Sequence, residues 1–231
     1  MCVVSPNDDW QALAHAMVRH QIIARGINDD RVLDAMGRVP RHLFIPHVAL
    51  DQAYSDQALP TDCGQTISQP YIVALMSVLL DVQPGMTVLE VGGGSGYQAA
   101  VLAALGARVV SVELLDALAQ PAQAALARAG FAHQVRVVTG DGSLGYSPAA
   151  PFHRILVAAA VPGPDAPPPL CEQTRDGGRI VLPLGDRHLH TLTALDRRGD
   201  QWRRTHSIAC RFVPLRGRFG FPDAAQSEPE Q

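Results

Sequence analysis

The chain has 231 residues, of which 47% are hydrophobic and 18% charged, with a formal net charge of −3. That length fits one domain, the apolar content is enough for a core, and the composition carries no signature of disorder. A net negative chain is a poor match for a life on nucleic-acid phosphates, and the longest apolar run, residues 71–80, is about half of what a bilayer span needs.

The opening residues, Met1-Cys2-Val3-Val4-Ser5-Pro6, lack the length and basic flank of a secretory leader. The expectation is a cytoplasmic globular protein that binds neither membrane nor nucleic acid. Cys2, Cys63, Cys171 and Cys210 are widely scattered and read as four reduced thiols, with no spacing for a zinc site. His188 and His190, two apart, would share one face of a strand and read as surface residues of an edge strand.

Residues 8–80 read mainly as helical. Leu13, Met17, His20, Gln21 and Ala24 form a loose stripe closed by Gly26. Asn28-Asp29-Asp30 offers cap oxygens and negative charge to a second helix carrying Val32, Leu33 and Met36, which Pro40 stops. An irregular stretch from Pro46 through Pro60 to Pro70 leads to a third helix over 70–80. From Thr87 the rhythm changes to short β-rich runs alternating with helices. Strands are predicted over 87–91, 108–112, 135–139, 154–158 and 179–184, and helices over 97–105 and 114–129, the latter kinked or restarted at Pro121. This alternation predicts a mostly parallel sheet with helices on both faces. Five prolines between Val161 and Leu170 read as a stiff, extended loop. Residues 190–195 and 202–215 read as an antiparallel hairpin turning at Arg197-Arg198-Gly199-Asp200, and 221–231 as a polar, disordered tail.

The strongest local motif is Val88-Leu89-Glu90-Val91-Gly92-Gly93-Gly94-Ser95-Gly96-Tyr97. Glycines between a strand and a helix let the backbone approach a ligand and aim free N–H groups at it. A dinucleotide loop would want its third glycine at position 97. The spacing found here, with an acid before it, resembles a loop for S-adenosylmethionine, and a bare structural turn is the plain alternative. Glu113 ends the next strand, where an acid can accept from both ribose hydroxyls, and Asp141 ends the third, within reach of an adenine amino group. All three lie at carboxyl ends of consecutive strands, the edge where such sheets bind ligands.

Further motifs carry a family resemblance. Gly64-Gln65-Thr66-Ile67-Ser68-Gln69-Pro70 and the glycine loop running into Tyr97-Gln98-Ala99-Ala100 resemble the protein-L-isoaspartate O-methyltransferase family. So do Met17-Val18, Gln21, Arg25-Gly26-Ile27, Val39-Pro40-Arg41, Gly140-Asp141-Gly142, Ala150-Pro151-Phe152, Gly177-Gly178-Arg179, Pro183-Leu184-Gly185 and Arg211-Phe212-Val213-Pro214-Leu215, in consistent order from about residue 15 to 217. The resemblance implies a Rossmann-like, S-adenosylmethionine-dependent methyltransferase fold in one domain, 1–220. Within it, 8–80 form a substrate-covering helical part and 84–220 the cofactor-binding sheet and terminal hairpin.

The implied reaction passes a methyl group from S-adenosylmethionine to the free carboxylate of an isoaspartyl residue in damaged protein. That nucleophile, with a pKa of ~4, is already ionised, so no catalytic base is expected, nor a metal. By the same resemblance Ser68 is the catalytic-site residue, binding substrate or gating the site. Its plain alternative is a cap for the helix at Pro70. Leu59, Pro60, Thr66, Ile67, Val213 and Arg211 would shape the substrate cleft. Arg211 could instead be a strand charge facing solvent. Glu90, Gly92, Gly94, Ser95, Gly96, Gln98, Glu113, Asp141 and Gly142 would hold the cofactor. Partners implied are isoaspartyl proteins and peptides, met by a monomer.

Some positions depart from the family pattern. His153 stands where an acid is usual, at the strand end far from the cofactor, so a structural effect is expected. Gly93 replaces a Thr or Ser and would loosen the loop. Three alanines occupy 158–160, and the proline-rich loop after them could alter access. Alternatives with the same cofactor residues are a carboxyl methyltransferase for an aspartate of one dedicated peptide and a catalytically silent cofactor-binding relative. A NAD-dependent oxidoreductase is disfavoured by glycine spacing.

Overall fold

The computed structural model describes residues 9–222. The expected tail beyond Pro222 and Cys2 lie outside the described residues. Helix α1 (Asp9–Met17) runs into a π-helical turn (Val18–Ile22) and a 3-10 turn (Ile23–Arg25) that ends at Gly26, with φ 87°. The wide turn rotates the buried face: Met17 and Ile22 enter the core, whereas His20 and Ala24, expected on the apolar stripe, are exposed. Helix α2 (Asp30–Arg38) starts as read, with Asp29 accepting from the backbone N–H groups of Arg31 and Val32. A 3-10 turn (Arg41–Phe44) and the short α3 (Leu50–Ala53) follow.

Where an irregular stretch was expected, the chain forms a small antiparallel pair, β1 (Leu59–Pro60) and β2 (Thr66–Ile67), with Leu59 opposite Ile67. Two residues per strand leave no periodicity to detect. Helix α4 (Pro70–Leu80) then begins with proline at its first turn, where the missing N–H costs nothing.

The remainder builds one eight-stranded sheet. In chain order its elements are β3 (Thr87–Val91), α5 (Tyr97–Ala104), β4 (Arg108–Glu113), α6 (Asp116–Arg128), β5 (Val135–Thr139), β6 (Phe152–Val157), β7 (Val161–Pro162), α7 (Pro168–Glu172), β8 (Thr174–Gly185), β9 (His190–Arg198) and β10 (Gln201–Cys210). The strand order is β10-β9-β8-β6-β3-β4-β5, with β7 pairing β8 beside this path. The pairings from β5 through β8 are parallel, and the β8–β9 and β9–β10 pairings are antiparallel. Both faces of β3 are buried. Val88 faces a cluster with Leu102, Leu126 and Met36, whereas Leu89 and Val91 face Ile155, Leu170 and Ile180. The strands step from β3 to β5 in one direction and resume at β6 on the other side of β3, so a crevice opens after β3.

Four local readings are corrected. Helix α6 runs unbroken through Pro121; one lost backbone bond is offset by burying Leu118, Ala122, Ala125 and Leu126. The proline-rich segment is not simply an extended loop: Val161–Pro162 joins the sheet and Pro168 opens α7. Strand β9 is interior, so His190 is only 2% exposed and its Nδ1 accepts from the Phe212 N–H at 3.2 Å, while His188 stays exposed. Strand β10 ends at Cys210, and 211–215 turn back over the sheet: Ala160 donates to Val213 and Leu215 to Ala160, both at 2.8 Å. His153 sits near the start of β6, accepting at Nδ1 from the Thr87 N–H, with Arg175 at its other nitrogen. It is structural and distant from the crevice. Among the described residues no helix is long and apolar enough to cross a membrane.

Candidate functional site

Three hollows meet around Thr66 and Ala158, the latter just past the carboxyl end of β6. The first is lined by Val91, Gly92, Gly94, Glu113, Leu114, Leu115, Gly142 and Val213. A smaller, deeper one lies among Glu90, Gly92, Gly94, Ser95, Tyr97, Gln98, Ile67 and Ser68. The third is a wide groove between Arg25, Asp56, Ser68, Gln69 and Tyr71 on one side and residues 208–213 on the other. Thr66 and Ala158 line all three, and Ser68 lines both the deep hollow and the groove.

Gly92, Gly94 and Gly96 all have positive φ, at 81°, 53° and 84°. This requirement explains the glycines and shapes a cradle in front of β3. Gly94 donates its N–H to Glu113 at 2.8 Å, and the other Glu113 oxygen accepts from Leu115 at 2.9 Å. The carboxylate is therefore fixed at the rim of the first hollow, with lone pairs left for further donors. Gly142 forms part of the wall because a Cβ there would meet Val91 Cγ1 at 2.6 Å.

Glu90 is wholly buried at the base of the deep hollow. One oxygen accepts from the Ser111 hydroxyl and the other, Oε1, has no partner. Burial pushes its pKa up to about 8, with the nearby Glu113 charge adding and the Ser111 hydrogen bond opposing. A buried carboxyl oxygen without a donor, facing a hollow, suits a ligand with an ammonium group. Gly93 also has a steric role: a Cβ there would collide with the Ser111 hydroxyl, so the glycine makes room for the group that holds Glu90. The signal for Ser111 was a lone hydroxyl in the apolar run Val109-Val110-Ser111-Val112.

Other expected residues take varied places. Gln98 lines the deep hollow and donates to Ser77 at 3.0 Å; the Ser95 hydroxyl accepts from the Tyr97 N–H at 3.3 Å. Gly96 packs on Ala122 and Leu126 and lines none of the three hollows. Asp141 accepts from the Ser143 N–H and hydroxyl and from the Arg218 N–H at 2.8 Å, so it shapes the turn that presents Gly142 and pins the segment after Leu215. Leu59 is buried behind β2, and Pro60 lines a separate cavity with Leu118 and Arg128, so neither wall of the groove includes them. Val213 and Arg211 do line the groove, Arg211 from an exposed position. Gln69, not Ser68, takes the capping position of α4 and makes no side-chain cap, which leaves the Ser68 hydroxyl free of that structural task. Sequence reading did not name Ala158 or Leu115 as site residues; nothing in apolar residues at strand ends signalled them.

The chain matches the protein-L-isoaspartate(D-aspartate) O-methyltransferase family over residues 12–220. It is 49% identical over 224 residues to a protein-L-isoaspartate O-methyltransferase of Herpetosiphon aurantiacus, covering 97% of this chain and 99% of the relative. It is 52% identical over 205 residues to one of Methanoregula boonei, covering 89% and 93%. Among solved structures it resembles a protein-L-isoaspartate O-methyltransferase at a TM-score of 0.80 and 26% identity, covering 91% of this chain and 67% of the other. A Plasmodium falciparum structure, titled as a complex with S-adenosyl-L-homocysteine, shares the fold at a TM-score of 0.76 and 20% identity, covering 88% and 98%.

Proposed function

The chain belongs to the protein-L-isoaspartate(D-aspartate) O-methyltransferase family, and from that premise we propose that its converging hollows carry out methyl transfer from S-adenosylmethionine to the free α-carboxylate of isoaspartyl residues in proteins and peptides. The observation that carries this reading is the junction itself. The deep hollow with the unpaired Glu90 oxygen opens past Thr66, Ser68 and Ala158 into the peptide-sized groove.

The residues present fit the cofactor. Glu90 would face its amino group, Glu113 its ribose hydroxyls, and Leu114, Leu115 and Gly142 its base, around the cradle of Gly92 and Gly94. The sulfonium supplies an electrophilic methyl. Its acceptor, a substrate carboxylate that is already ionised, would need no base to take the methyl group. The protein therefore needs alignment and exclusion of water more than a base. Thr66 and Ser68 would hold the isoaspartyl carboxylate with hydroxyl or backbone donors, and the groove wall at Arg211 and Val213 would hold the rest of the peptide. The methyl ester then favours closure to a succinimide, whose hydrolysis returns some normal aspartate. We place this activity in a cytoplasmic monomer; the net negative charge and the free thiols of Cys63, Cys171 and Cys210 support that setting.

The test is transfer of a labelled methyl group to two synthetic peptides that differ only in isoaspartate or aspartate at one position. The isoaspartyl peptide alone should be methylated. Equal labelling of both, or of neither while S-adenosylhomocysteine still binds, would reject repair as the function. Ser68→Ala should then lower kcat/KM roughly 10- to 100-fold, the worth of one hydrogen bond to a charged group, with S-adenosylhomocysteine affinity retained.

A further inference from the structure

Arg41 is a charged residue with 0% exposure. It opens the 3-10 turn after Pro40 and runs inward rather than to solvent. Its Nε donates to the Ala53 carbonyl and its Nη2 to the Ser68 carbonyl, both at 2.8 Å. The guanidinium carbon lies 4.8 Å from the centre of the Tyr97 ring, and Nη1 has no partner. No carboxylate is among these contacts. Carbonyl dipoles and the polar rings of Tyr97 and Tyr54, rather than an acid, are what oppose its charge.

Such an arrangement is not what stability alone would select. Burying a cation costs several kcal/mol, and an apolar side chain of similar volume in its place is often neutral or stabilising. The partners indicate what is gained instead. Ser68 stands where the deep hollow meets the groove. Tyr97 is the first residue of α5, immediately after the glycine loop, and lines the same deep hollow. One planar fork thus grips the backbone of the substrate loop while lying against the residue that ends the cofactor loop. Lysine has no planar fork with which to hold two carbonyls and stack on a ring at once.

We propose that Arg41 is a positioning residue for methyl transfer, fixing residues 66–68 at a set distance from the glycine loop so that the substrate carboxylate and the methyl group meet in line. The inference rests on the function proposed above. Small displacements of reacting groups are costly, with about 1 Å worth up to 10²-fold in rate, and Ser68 is held to Arg41 through its main chain, which the Ser68→Ala substitution would not disturb.

The experiment compares the full-length protein with Arg41→Met and Arg41→Lys. Wild-type methylation of the isoaspartyl peptide is measured first, so that an inactive wild type counts against the function and not against Arg41. Arg41→Met should lose roughly 10- to 100-fold in kcat/KM for the peptide, while its dissociation constant for S-adenosylhomocysteine stays within about threefold. Arg41→Lys should fall between, and added guanidinium should restore part of the Arg41→Met loss. In deuterium exchange with S-adenosylhomocysteine bound, residues 64–69 should exchange faster in the variant and 87–100 should not. That arm reads out even without turnover, and Arg41→Lys serves it if Arg41→Met does not fold. Unchanged kcat/KM overturns the proposal, as does a parallel fall of affinity, activity and melting temperature that guanidinium does not reverse.

Discussion

Glu90 carries an electrostatic debt in the folded chain that an unfolded chain does not have. Its pKa rises from an ordinary 4.5 to about 8 because burial disfavours the charged form. Between those values the folded state holds a proton that the unfolded state has released, so stability falls as pH rises through that window. Below it, both states are protonated and the penalty vanishes. Glu90→Gln, which keeps the shape and stays neutral, should melt higher than the unliganded wild type at pH 9, with the gap closing by pH 4. Parallel melting curves across that range would reject the assignment. The same proton links to the ligand. An ammonium group against Oε1 favours the ionised carboxylate, so binding of S-adenosylhomocysteine near pH 7 should release a proton from the wild type. Calorimetry in buffers of different ionisation enthalpy reads this directly, and Glu90→Gln should abolish that contribution.

Elements differ in how clearly a sequence announces them, and the reasons are physical. Strand β3 and helix α4 match their predicted bounds because a buried strand and a proline-opened helix leave long, consistent patterns. The π-helical turn at Val18–Ile22 could not be read, since one extra residue per turn looks like a poorly kept stripe. The pair β1–β2, which presents Thr66 and Ile67, is too short for any period. Glu113 and the glycine cradle were legible from spacing alone, whereas Ser68 entered only through resemblance, because an isolated serine before a proline has many structural uses. His190 was misread since β9 is flanked by β8 on one side and β10 on the other, and the segment after β10 folds back so that the Phe212 N–H meets the His190 ring. That correction has a consequence. His190 Nδ1 is the acceptor for the Phe212 N–H, the residue between Arg211 and Val213 of the groove wall. His190→Leu keeps the bulk but takes away the acceptor of that part-buried N–H, loosening the segment it holds. We expect KM for the isoaspartyl peptide to rise several-fold while affinity for S-adenosylhomocysteine holds. Steady-state kinetics beside calorimetry separates the two, and an unchanged KM would remove this segment from the substrate site.

Across the whole molecule, the two ligand sites are built in different ways. The cofactor hollows take about half of their walls from one continuous unit, β3 through the turn after β5, with both faces of β3 packed. The groove joins residues 25–72 of the N-terminal helical part to 208–213 at the end of the hairpin and just beyond it, and these meet only in the complete tertiary structure. A ligand that fills the hollows bridges β3, β4 and the loop at 66–68, and so should stabilise the entire cooperative unit rather than one lobe. At 100 times its dissociation constant, S-adenosylhomocysteine should add about 2.7 kcal/mol. For a domain of this size each kcal/mol raises the melting temperature by roughly 2–4 °C, giving a shift of about 5–11 °C in a single transition. NAD at the same concentration should give none, because its loop would need glycine where Tyr97 stands. Two transitions, with one moved by the ligand and one left behind, would mean that the groove-forming parts unfold apart from the cofactor sheet. A shift with NAD equal to that with S-adenosylhomocysteine would mean that the cradle selects a shared adenosine and not the methyl donor.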